Sequence, residues 1–330
     1  MTKSKSLTLL KNAELAKKFE EAAGKKHTVN DFINDFIHQF VSPETQKAYL
    51  HDLKSFFDFL KSRDVVIRHP NQIQGYHFQY YRDALMEEGY ASATINRKLV
   101  AIRSFIKWAM SLKLIDYNPL DVVKLPKVRT DQGTIAFDDD EVVEMINAPD
   151  LSKAKGCMDR MAMVLLFSLG LRRSELVQIQ MSDLYSDRGH NVIRIQGKGD
   201  KERHLPLNNF LVGEIENYVF NMQNFGFSFE ADDYLLQSQK TKRCKKKLDG
   251  STVYRMFETY AKKLGINKRV SPHSARATAI SHLLDTQNTP IRDVAIFAGH
   301  AKITTTERYD KRRESLDKSA AYKVDYKKSS

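Results

Sequence analysis

Between Asn118 and Phe137 the chain reads NPLDVVKLPKVRTDQGTIAF, with two prolines, a glycine and no sustained apolar period. Such a stretch carries neither a helix nor a strand, so it divides whatever folds before it from whatever folds after it. At 330 residues the chain is long enough for two cores of ordinary size. The expected organisation is an unassigned N-terminal extension over 1–27, a helical domain over 28–118, a linker over 119–136, and a second domain with a C-terminal tail over 137–330.

The first half has helical periodicity. Ser42-Pro43 supplies an N-cap followed by proline at the first helical position, and Tyr49, Leu53, Phe56, Phe57 and Leu60 then recur at three- and four-residue spacing. A second helix is expected from Ser92, with Ile95, Leu99, Ile102 and Phe105 as its apolar stripe. Arg97, Lys98, Arg103 and Lys107 are expected to project from its other faces. Four such cations are an ordinary wet surface or a set of phosphate contacts. The second use is preferred here because the whole half is basic.

The second half opens with DDDEVVEMI, a helix start with acids in its first turn, and MAMVLLFSLG reads as a buried helix ended by Gly170. RRSELVQIQMSDL is expected to begin another helix. NVIRIQ and ERHLPL are short strands that bracket Gly197-Lys198-Gly199-Asp200, a hairpin signal. The lysine-rich KTKRCKKK over 240–247 reads as an exposed loop, with Lys242 and Arg243 as its phosphate-contact candidates. Helices resume from Ser251.

Charge narrows the class of partner. Lys and Arg outnumber Asp and Glu by 21 to 14 over residues 1–130 and by 32 to 27 beyond, for a net +12. A basic excess in both halves points to a polyanion, with counterion release from phosphates supplying affinity. No run of eighteen apolar residues occurs, and the mixed-charge N-terminus lacks the apolar centre of a secretory signal, so the expected place is the cytosol and no membrane is expected as partner. Cys157 and Cys244, the only cysteines, make neither a disulfide framework nor a thiolate metal site.

Candidate chemical residues stand where one element gives way to the next. Arg172 follows a helix-ending glycine, Lys198 sits at a hairpin tip, and His273 and Arg276 share a face just past Pro272. His300 follows Gly299, where a further helix is expected to begin, and Tyr309 comes nine residues after His300. These are cations, imidazoles and a phenol without a carboxylate cluster. A two-metal nuclease needs grouped Asp and Glu, and a phosphate-cradling GxxxxGK[ST] loop is absent. His273, His282 and His300 lack a zinc-ligand spacing. No metal or other cofactor is therefore expected. Glu175, the one nearby acid, is read as an orienting partner of Arg172.

This set suits transfer at a phosphodiester. Two permanently charged, planar guanidiniums match two non-bridging oxygens, each contributing on the order of 3 kcal/mol in a pre-organised site. A tyrosine hydroxyl, with an ordinary pKa of about 10, needs cationic neighbours or a base before it can attack, and His273 is the candidate. The departing sugar oxygen needs a proton, for which Lys198 is the candidate. Taken singly each residue has a plainer use: Arg172 pairing with Glu175, His273 at a helix cap, Tyr309 in a core, Lys198 in a turn.

Together, GLRRSEL, IQGKGDKERHLPL, HSAR and GHAKITTTERY resemble, in order and spacing, the motifs of the tyrosine recombinases, or phage integrase family. The resemblance implies Arg172, Lys198, His273, Arg276 and His300 as the catalytic set and Tyr309 as nucleophile. SPETQKAYLHDLKSFFDFL and SATINRKLVAIRSFIKW are similar, more loosely, to the family's helical core-binding domain. Ala275, Ala277 and Lys311 stand where members often carry a larger apolar residue and two histidines. The fold implied is mainly α with a small β-sheet: a helical core-binding (SAM-like) domain and an α+β catalytic domain forming a C-shaped clamp on duplex DNA.

The activity implied is site-specific recombination through a 3'-phosphotyrosyl bond and a Holliday junction, without metal or ATP. The partners implied are double-stranded DNA with specific recombination sites, a homotetramer on that DNA, and accessory DNA-bending or regulatory proteins. The setting is the nucleoid-associated cytoplasm, with the extra N-terminal segment leaning toward a mobile element. A type IB topoisomerase and a non-cutting sequence-specific DNA-binding regulator on the same scaffold are the competing readings. The second has no use for a tyrosine at that spacing.

Overall fold

The computed structural model describes residues 28–121, 123, 135–197, 201–238 and 246–310. Its architecture is mainly α with one small sheet, in two compact units that divide after Thr130.

The first unit is helical. Helix α1 spans Val29–His38, α2 Pro43–Lys61, α3 Gly75–Glu87 and α4 Ser92–Ser111. Ser42 caps α2 by accepting a hydrogen bond from the amide of Thr45, with Pro43 at the first helical position, where a missing N–H costs nothing. Leu53, Phe56 and Leu60 from α2 meet Ile95, Leu99, Ile102 and Phe105 from α4 in one core. Aromatic rings fill much of it: Phe56 stacks on Phe78 at 5.1 Å, and Phe36 meets Phe105 edge-on at 5.5 Å.

One expectation for α4 is corrected. Lys98 does not project to solvent; it is 4% exposed, inside the unit. It lies three residues after Ile95 and four before Ile102, so helical geometry puts it on the apolar stripe. Its ammonium donates to Ser55 Oγ at 3.0 Å and stands 3.8 Å from Asp52 Oδ1. The Asp52 carboxylate is buried as well, and the half-exposed Arg97 also pairs with it.

In the second unit α5 covers Asp139–Asn147, its first turn acidic and its N-terminal amide at Asp138 bonded to the Glu141 carboxylate at 2.8 Å. Helix α6, Ala154–Leu169, is apolar nearly all round because it runs through the core, where Met161 to Leu166 are fully buried. Gly170 ends it in the left-handed conformation (φ 55°). The expected long helix at RRSEL is only one turn, α7, Arg173–Leu176.

A three-stranded antiparallel sheet follows: β1 Leu184–Asp187, β2 His190–Gln196 and β3 Glu202–Pro206, in that order. The β2–β3 hairpin was expected. The β1–β2 hairpin was not; Arg188 and Gly189 close it with positive φ (48° and 82°), the pair of angles that a two-residue hairpin turn requires. Then come α8 (Asn209–Asn224), α9 (Gly250–Lys263), α10 (Pro272–Asp285), α11 (Ile291–Ala298) and α12 (Ile303–Glu307). Helices α8 and α10 both pack on α6. The ends of α6 and α11 and the start of α10 carry the residues described next.

The buried pair in the first unit sets a stability test. Asp52→Leu strands the Lys98 ammonium and is expected to cost about 3 kcal/mol in urea unfolding, whereas Lys107→Ala on the exposed face should change stability by less than about 0.5 kcal/mol. Equal effects of the two changes would show that Lys98 escapes to water.

Candidate active site

The turn after α6 delivers the first arginine. Because Gly170 ends the helix, Arg172 is extended (φ −72°, ψ 147°) and sits at the mouth of α7 rather than within it. Its Nη1 donates to Glu175 Oε1 at 2.6 Å, its own amide donates to Glu175 Oε2 at 2.8 Å, and Nη2 donates to the carbonyl of Gly299 at 2.9 Å. The side chain stays about one-third exposed.

Arg276 reaches the same place from the second turn of α10. It is 2% exposed, and Nη1 and Nη2 donate to the carbonyls of Gly170 and Ala298, the last turns of α6 and α11. A guanidinium that bridges two helix C-termini is fixed in plane, and its cation complements both helix dipoles. Burial and the Arg172 charge lower its pKa to about 10, which leaves it protonated at neutral pH.

A third arginine, Arg203 on β3, was not singled out from the sequence. Its Nη1 and Nη2 donate to Glu175 Oε1 and Oε2 at 3.1 and 2.9 Å, and its side chain is 11% exposed. Burial opposes ionisation of Glu175, but the hydrogen bonds from Arg203 and Arg172 outweigh it and hold the carboxyl below the ordinary carboxylate range. Arg203 also passes beneath Gly299, where a Cβ would stand 2.8 Å from its Nη1. Gly299 has a φ of 63° and closes α11; the helix expected to begin there starts instead at Ile303. Glycine is required twice over, by the left-handed angle and by the guanidinium below it.

The imidazoles and the phenol complete the cluster. His273, the second residue of α10, and His300, in the turn between α11 and α12, flank Tyr309. Tyr309 Oη lies 3.4 Å from His273 Nε2, and the Tyr309 and His300 rings stack with centroids 6.0 Å apart. Tyr309 also packs on the small cluster of Ile280, Leu284, Val294 and Ala298, and Ser281 Oγ donates to its carbonyl at 3.2 Å.

Burial raises the Tyr309 pKa further than the Arg276 and Arg172 charges lower it, so the phenol is protonated at neutral pH. His273 is lowered by desolvation and by the same two arginines, and His300 is lowered to about 4 by burial and by Arg276, Arg172 and Arg203. Both imidazoles are neutral near pH 7. The site as a whole is three guanidiniums against one carboxylate, a positive field around a protonated phenol and two neutral imidazoles.

Of the residues expected from the sequence, Arg172, Glu175, His273, Arg276, His300 and Tyr309 are brought together. Lys198, Lys242 and Arg243 lie outside the described residues. Lys198 falls between Gly197 and Lys201, joined by a 2.7 Å hydrogen bond from the Gly197 amide to the Lys201 carbonyl. In the first unit Lys107 is exposed and Arg103 half-buried, one turn apart on α4. Among the described residues no group of three or more His, Cys, Asp or Glu could hold a metal ion, and no helix is long and apolar enough to cross a membrane.

The family model described as Phage integrase family matches residues 136–315, and that described as Phage integrase, N-terminal SAM-like domain matches residues 29–113. The chain belongs to the phage integrase family. It is thus a tyrosine site-specific recombinase, with a SAM-like N-terminal domain and an integrase catalytic domain.

Among curated members, the tyrosine recombinase XerC of Myxococcus xanthus is 30% identical over 273 residues, covering 81% of this chain and 87% of that protein. XerC of Pelotomaculum thermopropionicum is 29% identical over 295 residues, covering 86% and 92%. XerD of Staphylococcus haemolyticus is 28% identical over 269 residues, covering 82% and 88%. The fold is also that of the Tn1549 transposon integrase (residues 82–397) in complex with circular intermediate DNA, with a TM-score of 0.69 at 19% identity over 90% of this chain and 99% of that one. A lambda integrase dimer bound to a COC' core site gives 0.65 at 15% identity, covering 90% and 81%.

The integrase catalytic unit should report its suppressed imidazoles through pH. A histidine held neutral in the folded state takes up its proton first in the unfolded chain, so stability is complete above the ordinary value of about 6.5 and falls as pH drops toward the folded value. For His300 that window runs down to about 4. The thermal midpoint of the full chain is expected to fall across it, and His300→Gln should flatten the fall; identical slopes in the two proteins would mean that His300 is free to protonate.

Proposed function

We propose that this recombinase cleaves DNA by attack of Tyr309 Oη on the scissile phosphate, forming a 3'-phosphotyrosyl bond as the bond from phosphorus to the 5'-oxygen breaks. The observation that carries the reading is the Tyr309 hydroxyl, 3.4 Å from the neutral His273 Nε2 and within the field of Arg172 and Arg276. His273 accepts the phenolic proton as the oxygen–phosphorus bond forms. Arg172 and Arg276 hold the non-bridging oxygens, where negative charge accumulates, and their hydrogen bonds to Glu175, Gly170, Ala298 and Gly299 aim them before substrate arrives. His300 donates a further hydrogen bond to one of those oxygens. Lys198 supplies the proton to the departing 5'-oxygen, which leaves as the hydroxyl.

One phosphodiester is exchanged for another, so neither ATP nor a metal ion is called for, and the reverse attack by a 5'-hydroxyl from a second duplex reseals the strand. Recombination requires this exchange on two DNA sites through a Holliday junction, which calls for four copies of the chain. Arg97, Arg103 and Lys107 on α4 and the Lys242–Arg243 pair are assigned to the phosphate backbone of the site, in keeping with a net charge of +12. The protein works in the cytoplasm at the nucleoid, with DNA-bending or regulatory proteins as accessory partners.

The direct test uses nicked suicide duplexes bearing a site recovered by selecting random-sequence duplexes on the full-length protein. An SDS-resistant protein–DNA adduct is expected to form in EDTA and to be absent for Tyr309→Phe. Arg172→Ala and Arg276→Ala should slow its formation by about a hundredfold or more each. Covalent attachment of the Tyr309→Phe protein would assign the nucleophile to another residue.

A further inference from the structure

His300 works as a hydrogen-bond donor only if its proton is on the nitrogen that faces the substrate, and the surroundings of its other nitrogen decide that. Nδ1 of His300 lies 2.8 Å from Oγ1 of Thr306, one turn before Tyr309 on α12. Thr306 is 0% exposed, so its hydroxyl is cut off from bulk solvent. Two other helical threonines of this unit spend their proton on the carbonyl four residues back: Thr278 on Ser274 at 3.0 Å, and Thr259 on Arg255 at 2.8 Å. Thr306 makes no such bond. Its side chain has one hydrogen-bond partner among the described residues, the His300 ring.

The direction of that bond follows. If Nδ1 carried the proton and Thr306 accepted it, the threonine O–H would be a buried donor with nowhere to go. Thr278 escapes this because its oxygen accepts from the Phe137 amide at 2.8 Å while its proton goes to Ser274. Among the described residues Thr306 has no second partner, so the satisfied arrangement is Thr306 donating to an unprotonated Nδ1. The neutral ring then carries its hydrogen on Nε2. Burial and the surrounding arginines keep the ring neutral, since a second proton on it would meet three guanidiniums.

We propose that Thr306 is a positioning residue that donates its hydroxyl proton to Nδ1 of His300 and so fixes His300 as the Nε2–H tautomer, the form able to donate to a non-bridging oxygen of the scissile phosphate. This rests on the reading of His300 given under the proposed function. It gives the threonine of the TTTERY segment a task through His300 rather than through contact with DNA.

The test combines a spectrum with kinetics on the full chain. Nitrogen NMR of protein labelled with 15N-histidine, with the His300 signals assigned by comparison with His300→Gln, is expected to show Nδ1 unprotonated and Nε2 protonated at neutral pH. In Thr306→Val, which keeps the shape and removes the hydroxyl, the His300 signals should move toward a mixture of tautomers. Single-turnover cleavage of the nicked suicide duplex should then slow by roughly tenfold at unchanged duplex affinity. Thr306→Ser restores the hydroxyl and is expected to recover both readouts, which a packing defect would not.

A wild-type His300 with its proton on Nδ1 overturns the proposal without recourse to any variant. Thr306→Val cleaving at the wild-type rate with an unmoved spectrum overturns it too. If the tautomer is as expected but His300→Gln cleaves like wild type, the role of His300 fails, and the positioning by Thr306 loses its purpose but not its geometry.

Discussion

One buried carboxylate makes this arrangement of cations possible. Glu175 accepts from both Nη groups of Arg203, from Nη1 of Arg172 and from the Arg172 amide, with Arg276 Nη1 4.0 Å away. Guanidiniums this close repel one another; at an effective dielectric of about 20 and a separation of ~5 Å the repulsion is roughly 3 kcal/mol per pair. A single acid at their centre offsets that repulsion and still leaves the cluster with a positive surplus for an anionic substrate. It also sets directions. Glu175 takes one Nη of Arg172 and the Gly299 carbonyl takes the other, so the guanidinium is fixed at both ends.

The same economy applies to the backbone. Three helix ends converge here: the C-termini of α6 and α11, whose carbonyls take the Arg276 fork, and the N-terminus of α10, which carries His273. Gly170 and Gly299 allow α6 and α11 to stop where they do, both in the left-handed conformation. The site is thus a product of how helices end. That explains why its residues are scattered over more than a hundred positions yet meet within a few side-chain lengths.

Much of this could be read from the sequence because it is local. Caps, apolar stripes and glycine stops announce α2, α4 and α6, and the junction residues Arg172, His273, Arg276, His300 and Tyr309 stand out by type and place. What escaped was set by pairing across elements. Lys98 drew attention as a charge although its spacing from Ile95 and Ile102 puts it on the buried stripe. Arg203 was not singled out, although β2 pairs Ile195 with Arg203, and cross-strand partners share a face, so an inward Ile195 implies an inward arginine. Gly299 was read as a helix start, although glycine is far commoner just beyond a helix end. The β1 strand was hidden because Arg188 occupies a positive φ usually left to glycine or asparagine.

Tyr309 answers to both the core and the chemistry. Its side chain packs against the cluster of Ile280 and Val294, and its hydroxyl lies 3.4 Å from His273 Nε2. Burial keeps the phenol protonated at neutral pH although His273 stands beside it. The claim that everything here serves one covalent bond is tested most directly by trimming the protein–DNA adduct with nuclease, digesting it with trypsin and sequencing the nucleotide-bearing peptide by mass spectrometry. The account predicts the nucleotide on Tyr309. A nucleotide on Tyr322, Tyr326 or any other residue would contradict it.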